Sequence, residues 1–135
     1  MKFLHILTGT VILIVFAVSG QYMAFGLELP NQEFDAQRMM YRASHMYLLF
    51  VGALNVAVGC YWHQFDHRAS KVLQRVASFC LVLAQPVLVY AFWVEPEAID
   101  SERLLTLLGC VLVLVGIVLS LIGASVSRIY GGKNA

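Results

Sequence analysis

The chain has 135 residues, 60% of them hydrophobic and only 13% charged, with a formal net charge of +1. A water-soluble domain carries about a quarter charged residues, and the apolar residues here form long unbroken runs rather than stripes, so composition excludes an ordinary soluble fold. Nucleic-acid binding is excluded too, because no cluster of basic residues provides the electrostatic footprint.

Four apolar stretches follow in chain order, each roughly the 20 residues a helix needs to cross a hydrocarbon core. They cover about residues 3–25, 43–62, 72–94 and 104–126. They predict one domain, an all-α integral membrane protein built as a four-transmembrane-helix bundle. The first stretch has a second aspect: Lys2, an apolar core and Ala17-Val18-Ser19 resemble a secretory signal peptide whose cleavage would remove residues 1–19 and leave three spans. Against cleavage, the apolar run continues through Tyr22, Met23, Ala24, Phe25 and Gly26, longer than a signal core. Pro30-Asn31 precedes the polar segment 32–42 that leads into the second stretch. Glu95-Pro96 ends the third, and Asp100-Ser101 is placed to cap the fourth.

Orientation follows from the basic residues. Lys2, Arg68, Lys71, Arg75, Arg128 and Lys133 fall at the two termini and in the second connection, which share one side in an even-span topology. Arg38, Arg42 and Arg103 fall on the other side, with Glu28, Glu33, Asp35, Glu95, Glu97, Asp100 and Glu102. The Lys/Arg bias predicts that both termini are cytoplasmic, N-in and C-in, in a bacterial inner membrane. Tyr22, Tyr41, Tyr61, Trp62, Tyr90, Trp93 and Tyr130 lie near the span ends, as an interfacial belt does.

Helical periodicity gives each span one seam of small or polar residues on which to pack. The first carries His5, Thr8, Gly9, Ile12, Phe16, Ser19, Gly20 and Met23. The second carries Arg38, Arg42, His45, Leu49, Gly52, Val56, Gly59 and His63, with Ser44 and Asn55 at the edge. On the third, Lys71, Ser78, Gln85 and Phe92 recur every seven residues. The fourth has Thr106, Gly109, Val113, Gly116, Ser120, Gly123 and Ser127. The deepest amides, Asn55 and Gln85, find no partner in lipid and are expected inside the bundle, where they either glue helices together or form a polar spot for a headgroup, quinone or ion. Pro86, after Gln85, predicts a kink.

Two constellations carry candidate chemistry. Arg38, Arg42 and His45 share a face at the entry to the second span. The arginines suit an anionic headgroup or a cofactor carboxylate, whereas pairing with Glu28, Glu33 or Asp35 is the plainer reading. With Met23, Met39, Met40 and Met46 nearby, His45 also suggests a soft copper site, although Met39 and Met46 fall on a different arc. His63 and His67, with Asp66 between them and His5 at a similar depth, suggest haem or metal ligation, set against ordinary solvated loop residues. Cys60, Cys80 and Cys110 stand singly on separate spans, which argues against a thiol oxidoreductase. No Asp or Glu is expected within a span, so a proton-coupled exporter fits poorly.

The size, the four spans and the arginine-rich run before the second span loosely resemble the membrane-associated eicosanoid and glutathione enzymes. That family follows its basic stretch with an Asn and a Glu inside the membrane. Here Ala43-Ser44-His45-Met46-Tyr47 stands in their place, so the resemblance is architectural and implies no catalytic residue. The function expected from these observations is an accessory or interaction subunit without an evident catalytic motif. It would associate with lipid and with copies of itself or a larger membrane complex. The alternatives are a haem- or copper-binding redox protein and a lipid- or quinone-binding enzyme.

Overall fold

Only helices and closed barrels let a long apolar run satisfy every backbone N–H and C=O without water, and these runs lack the period of strands. The computed structural model describes residues 1–26, 35–63, 65, 67–97 and 102–131. Among them are four α-helices: α1 (Lys2–Gln21), α2 (Asp35–Cys60), α3 (Arg68–Val94) and α4 (Leu104–Gly131). A π-helical turn, Tyr22–Gly26, extends α1, and a 3-10 turn, Glu95–Glu97, extends α3. All four helices are long and apolar enough to cross a membrane. The expected cap at Asp100-Ser101 and the Pro30-Asn31 break lie outside the described residues. Pro86 lies inside α3 without ending it.

Successive helices run antiparallel, and α1/α2 and α3/α4 are the two closest pairs, joined through α2 and α3. Glycines set both close approaches. A Cβ on Gly9 would stand 2.8 Å from the backbone of Gly52 and Val56, so α1 and α2 meet there nearly backbone to backbone. On the other pair, Leu88 fills the notch at Gly109 and Leu81 the notch at Gly116. Knob and notch both repeat by seven along antiparallel helices, the spacing of a left-handed crossing.

The core between the pairs consists of Ile12, Tyr41, Leu48, Val51, Leu81, Ala84, Leu88, Phe92 and Val113. Tyr41, expected in an interfacial belt, is instead buried with its ring edge-on to Phe92 at 5.5 Å. The expected seams of α1 and α4 are the faces turned inward: His5, Gly9, Ile12 and Ser19 on one, and Thr106, Gly109, Val113, Gly116 and Gly123 on the other, are buried. Ser78, Gln85 and Phe92 are likewise buried on α3, although Lys71, the first of that heptad series, is exposed.

Helix α2 departs from its expected single seam. Gly52, Gly59 and His45 do face α1. A second buried face, Tyr41, Ser44, Leu48, Val51 and Asn55, lies one residue back at nearly every position and meets α3. One residue turns a helix by about 100°. Placed between two neighbours, α2 buries two stripes, and only the one rich in glycine and histidine is distinguishable in sequence from a lipid-facing surface.

Candidate functional site

The buried polar side chains fall into two layers, one on each side of the apolar core. Between Ser44 and His45 of one layer and Asn55 of the other run ten or eleven residues of α2, a rise of roughly 15 Å. Ile12, Leu48 and Val51 fill that interval and are buried, so apolar packing separates the layers.

The layer nearer Lys71 centres on His5 and Asn55, both fully buried. Asn55 donates its Nδ2 hydrogens to the carbonyl oxygens of Val51 (2.9 Å) and Leu81 (3.4 Å), which turns Oδ1 toward the ring of His5. Nδ1 of His5 therefore carries the hydrogen and donates it to Asn55 Oδ1 at 2.7 Å. Nε2 of His5 is left as an acceptor, buried and without a partner among the described residues, while the ring packs 5.5 Å from that of Trp62. Gln85 donates to the Thr8 hydroxyl at 3.2 Å, and Thr8 donates to the carbonyl of Leu4 at 2.9 Å. Asn55 and Gln85 thus lie inside the bundle, and through these bonds each is tied to α1.

The layer nearer Glu95 has two parts. Ser19 donates its hydroxyl to the carbonyl of Phe16 at 2.9 Å, so Nδ1 of His45 is the donor in the 3.0 Å bond to Ser19 Oγ. The His45 ring stacks on Phe16 at 4.0 Å and lies over Gly20, where a Cβ would stand 3.3 Å from it. His45 is thereby turned into the α1–α2 interface, whereas Met39 and Met46 are exposed; the structure does not gather them with it. Arg42 is exposed and Arg38 half-buried.

The second part was not legible in sequence. Glu95 stands one residue past the expected third span, yet only 4% of it is exposed. Its Oε1 accepts the backbone N–H of Thr106 at 2.9 Å, and its Oε2 accepts the Thr106 hydroxyl. A carboxylate at the first turn of a helix satisfies a free N–H and opposes the positive end of the dipole. Glu95 therefore caps α4 from across the connection. Arg103 completes the cluster: its Nε stands 3.6 Å from Glu95 Oε2, and its Nη2 donates to Ser44 Oγ at 2.9 Å. Glu95 thus lies just past the expected third span, yet its carboxylate is turned into the bundle. A signal was present in Glu95-Pro96-Glu97: Pro96 favours a tight turn and ends regular helix, but nothing local says that Glu95 turns inward.

His63 and His67 are exposed near the opposite end, His63 with its ring 5.8 Å from Phe65, and neither is buried with His5. Among the described residues no group of three or more His, Cys, Asp or Glu is placed to hold a metal ion. No family model, curated protein or solved structure matches the chain.

Proposed function

We propose that the chain is an integral membrane protein with both termini in the cytoplasm, and that it serves as an accessory or interaction subunit within a larger membrane assembly or a homo-oligomer. One observation carries this reading: the deep amides Asn55 and Gln85 and the buried carboxylate Glu95 each bond to another helix. Polar groups used this way fix how helices associate, which lipid-solvated apolar surfaces cannot do alone. The exteriors of α1 and α4 present aliphatic side chains such as Val11, Ile14, Val18, Leu114, Val118 and Leu121, suited to lipid or to another apolar helix. Native mass spectrometry after gentle extraction from the source membrane tests the reading. A homo-oligomer, or a reproducible second chain, is the expected result. A monomer that captures nothing and carries a stoichiometric cofactor overturns it.

A second reading, a haem- or copper-binding redox protein, is favoured by the bare Nε2 of His5. A histidine whose Nδ1–H is held by an acceptor presents Nε2 in a fixed direction, as metal-ligating histidines do. The purified protein would then show a Soret band or bound copper that His5→Ala abolishes. A colourless, metal-free protein with an unchanged His5→Ala spectrum dismisses it.

A further inference from the structure

At the end of the bundle where α2 gives way to α3, a half-open cleft of about 240 Å³ is lined by Met1, Trp62, Phe65, Lys71, Gln74 and Arg75. Its walls differ in chemistry. Lys71 and Arg75 are four residues apart on α3 and so lie on one face, both exposed, while the rings of Trp62 and Phe65 are half-buried. Gln74 donates to the carbonyl of His63 at 2.7 Å, which ties the connection to α3 and holds the cleft's rim. Neither the Lys71 nor the Arg75 side chain has an ion-pair or hydrogen-bond partner among the described residues. Two unneutralised cations beside aromatic rings form a site for an anion that also offers apolar surface. Ligand pockets for drug-sized molecules run from roughly 300 Å³ upward, so a cleft of this size fits a headgroup rather than a whole cofactor.

We infer that this cleft binds the phosphate headgroup of an anionic phospholipid of the cytoplasmic leaflet. The inference rests on the membrane insertion and orientation proposed above. The cleft then lies at the hydrocarbon edge, because the apolar stretch of α3 begins at about residue 72, next to Lys71. Arg75 offers a planar fork and Lys71 a point charge to the phosphate oxygens. Trp62 takes the interfacial position its amphipathic ring favours, against the glycerol and upper acyl chain. The site shares Trp62 with the His5–Asn55 layer and lies at the end of α2 opposite Arg38 and Arg42.

The test is native mass spectrometry of the protein released from nanodiscs holding equal phosphatidylglycerol and phosphatidylcholine. The wild type is expected to retain phosphatidylglycerol over phosphatidylcholine by roughly tenfold, given the attraction of two basic residues near an anionic surface. The double variant Lys71→Gln/Arg75→Gln should bring that ratio close to one without altering the circular-dichroism spectrum. A control pair, Lys2→Gln/Arg128→Gln, removes two exposed cations that do not line the cleft and should leave the ratio unchanged. An unchanged preference in the Lys71/Arg75 variant overturns the proposal, and so does an equal loss in both pairs. Loss of the preference on adding millimolar inorganic phosphate overturns it differently, by identifying a free anion as the occupant. A chain that does not enter nanodiscs refutes the membrane reading itself, whereas one that enters without lipid preference refutes only this site.

Discussion

The bond between His5 and Asn55 joins α1 to α2 at a depth where water cannot substitute for either partner. Removing Asn55 leaves Nδ1–H of His5 unpaired, so Asn55→Ala is expected to destabilise the bundle by about 1 kcal/mol, the scale of interhelical hydrogen bonds measured in bilayers. A cycle with His5→Phe, followed by unfolding in mixed micelles, should return a coupling of roughly 0.5–1.7 kcal/mol. Coupling near zero would mean that the two side chains act independently. Glu95 carries more. Alanine there strands the Thr106 N–H and removes the counter-charge of Arg103, at an expected cost of about 2–3 kcal/mol, below the upper range for broken buried pairs because Arg103 is 31% exposed and keeps its bond to Ser44. Glu95→Gln keeps an acceptor for Thr106 and loses the charge, so it should cost about half as much. Equal losses in the two variants would show that the charge, not the cap, is what matters. Asn55 and Gln85 were legible in sequence because an amide surrounded by aliphatic residues has nowhere else to point. Glu95 was not, since its partner Thr106 lies eleven residues on, and hydropathy alone places a Glu-Pro-Glu turn in the interface.

At the level of the helices, legibility follows size contrast. The seams of α1 and α4 stand out because Gly9, Gly109 and Gly116 interrupt runs of large aliphatic residues. The α3-facing stripe of α2 does not, because Leu48 and Val51 are as apolar as the exposed Met46 and Phe50. These glycines also differ in what they tolerate. Gly9→Ala places a methyl group 2.8 Å from backbone atoms of α2, which no side-chain rotation relieves, and should destabilise by about 1–3 kcal/mol. At Gly123 the same methyl group would meet Leu73 Cβ at 3.5 Å, an ordinary contact. Gly123→Ala should therefore be neutral or stabilising by up to ~1 kcal/mol, because alanine gives up less chain entropy in a helix. Measured under one set of conditions, the two variants should move the unfolding midpoint in opposite directions, or Gly9 alone should move it. A harmless Gly9→Ala would mean that α1 and α2 do not meet backbone to backbone.

For the molecule as a whole, the helices are unequal. In the apolar window of each span, 44% of α3 is buried, against 33% of α2 and 22% of α1 and α4, so α3 is the hub and the outer helices face whatever surrounds the bundle. The ends are unequal as well. Lys2, Arg68, Lys71, Arg75 and Arg128 collect at one end, while Glu95, Glu97 and Glu102 share the other with Arg38, Arg42 and Arg103. If Lys and Arg are retained on the cytoplasmic side, the end holding Lys71 faces inward. Cysteine accessibility decides this. In a background lacking Cys60, Cys80 and Cys110, the exposed positions His63 and Glu97 mark the two ends and tolerate replacement without disturbing a buried contact. His63→Cys should react with an impermeant maleimide only in inside-out vesicles, and Glu97→Cys only in intact spheroplasts. The opposite pattern would invert the protein and place the basic cleft against the outer leaflet. Reaction of both positions from the same side would contradict a simple span for α3, since the residues of that helix separate the two labels. Because a helix of 27 residues is about 40 Å long, the labels stand further apart than the hydrocarbon core is thick, and one experiment tests both the spanning and its direction.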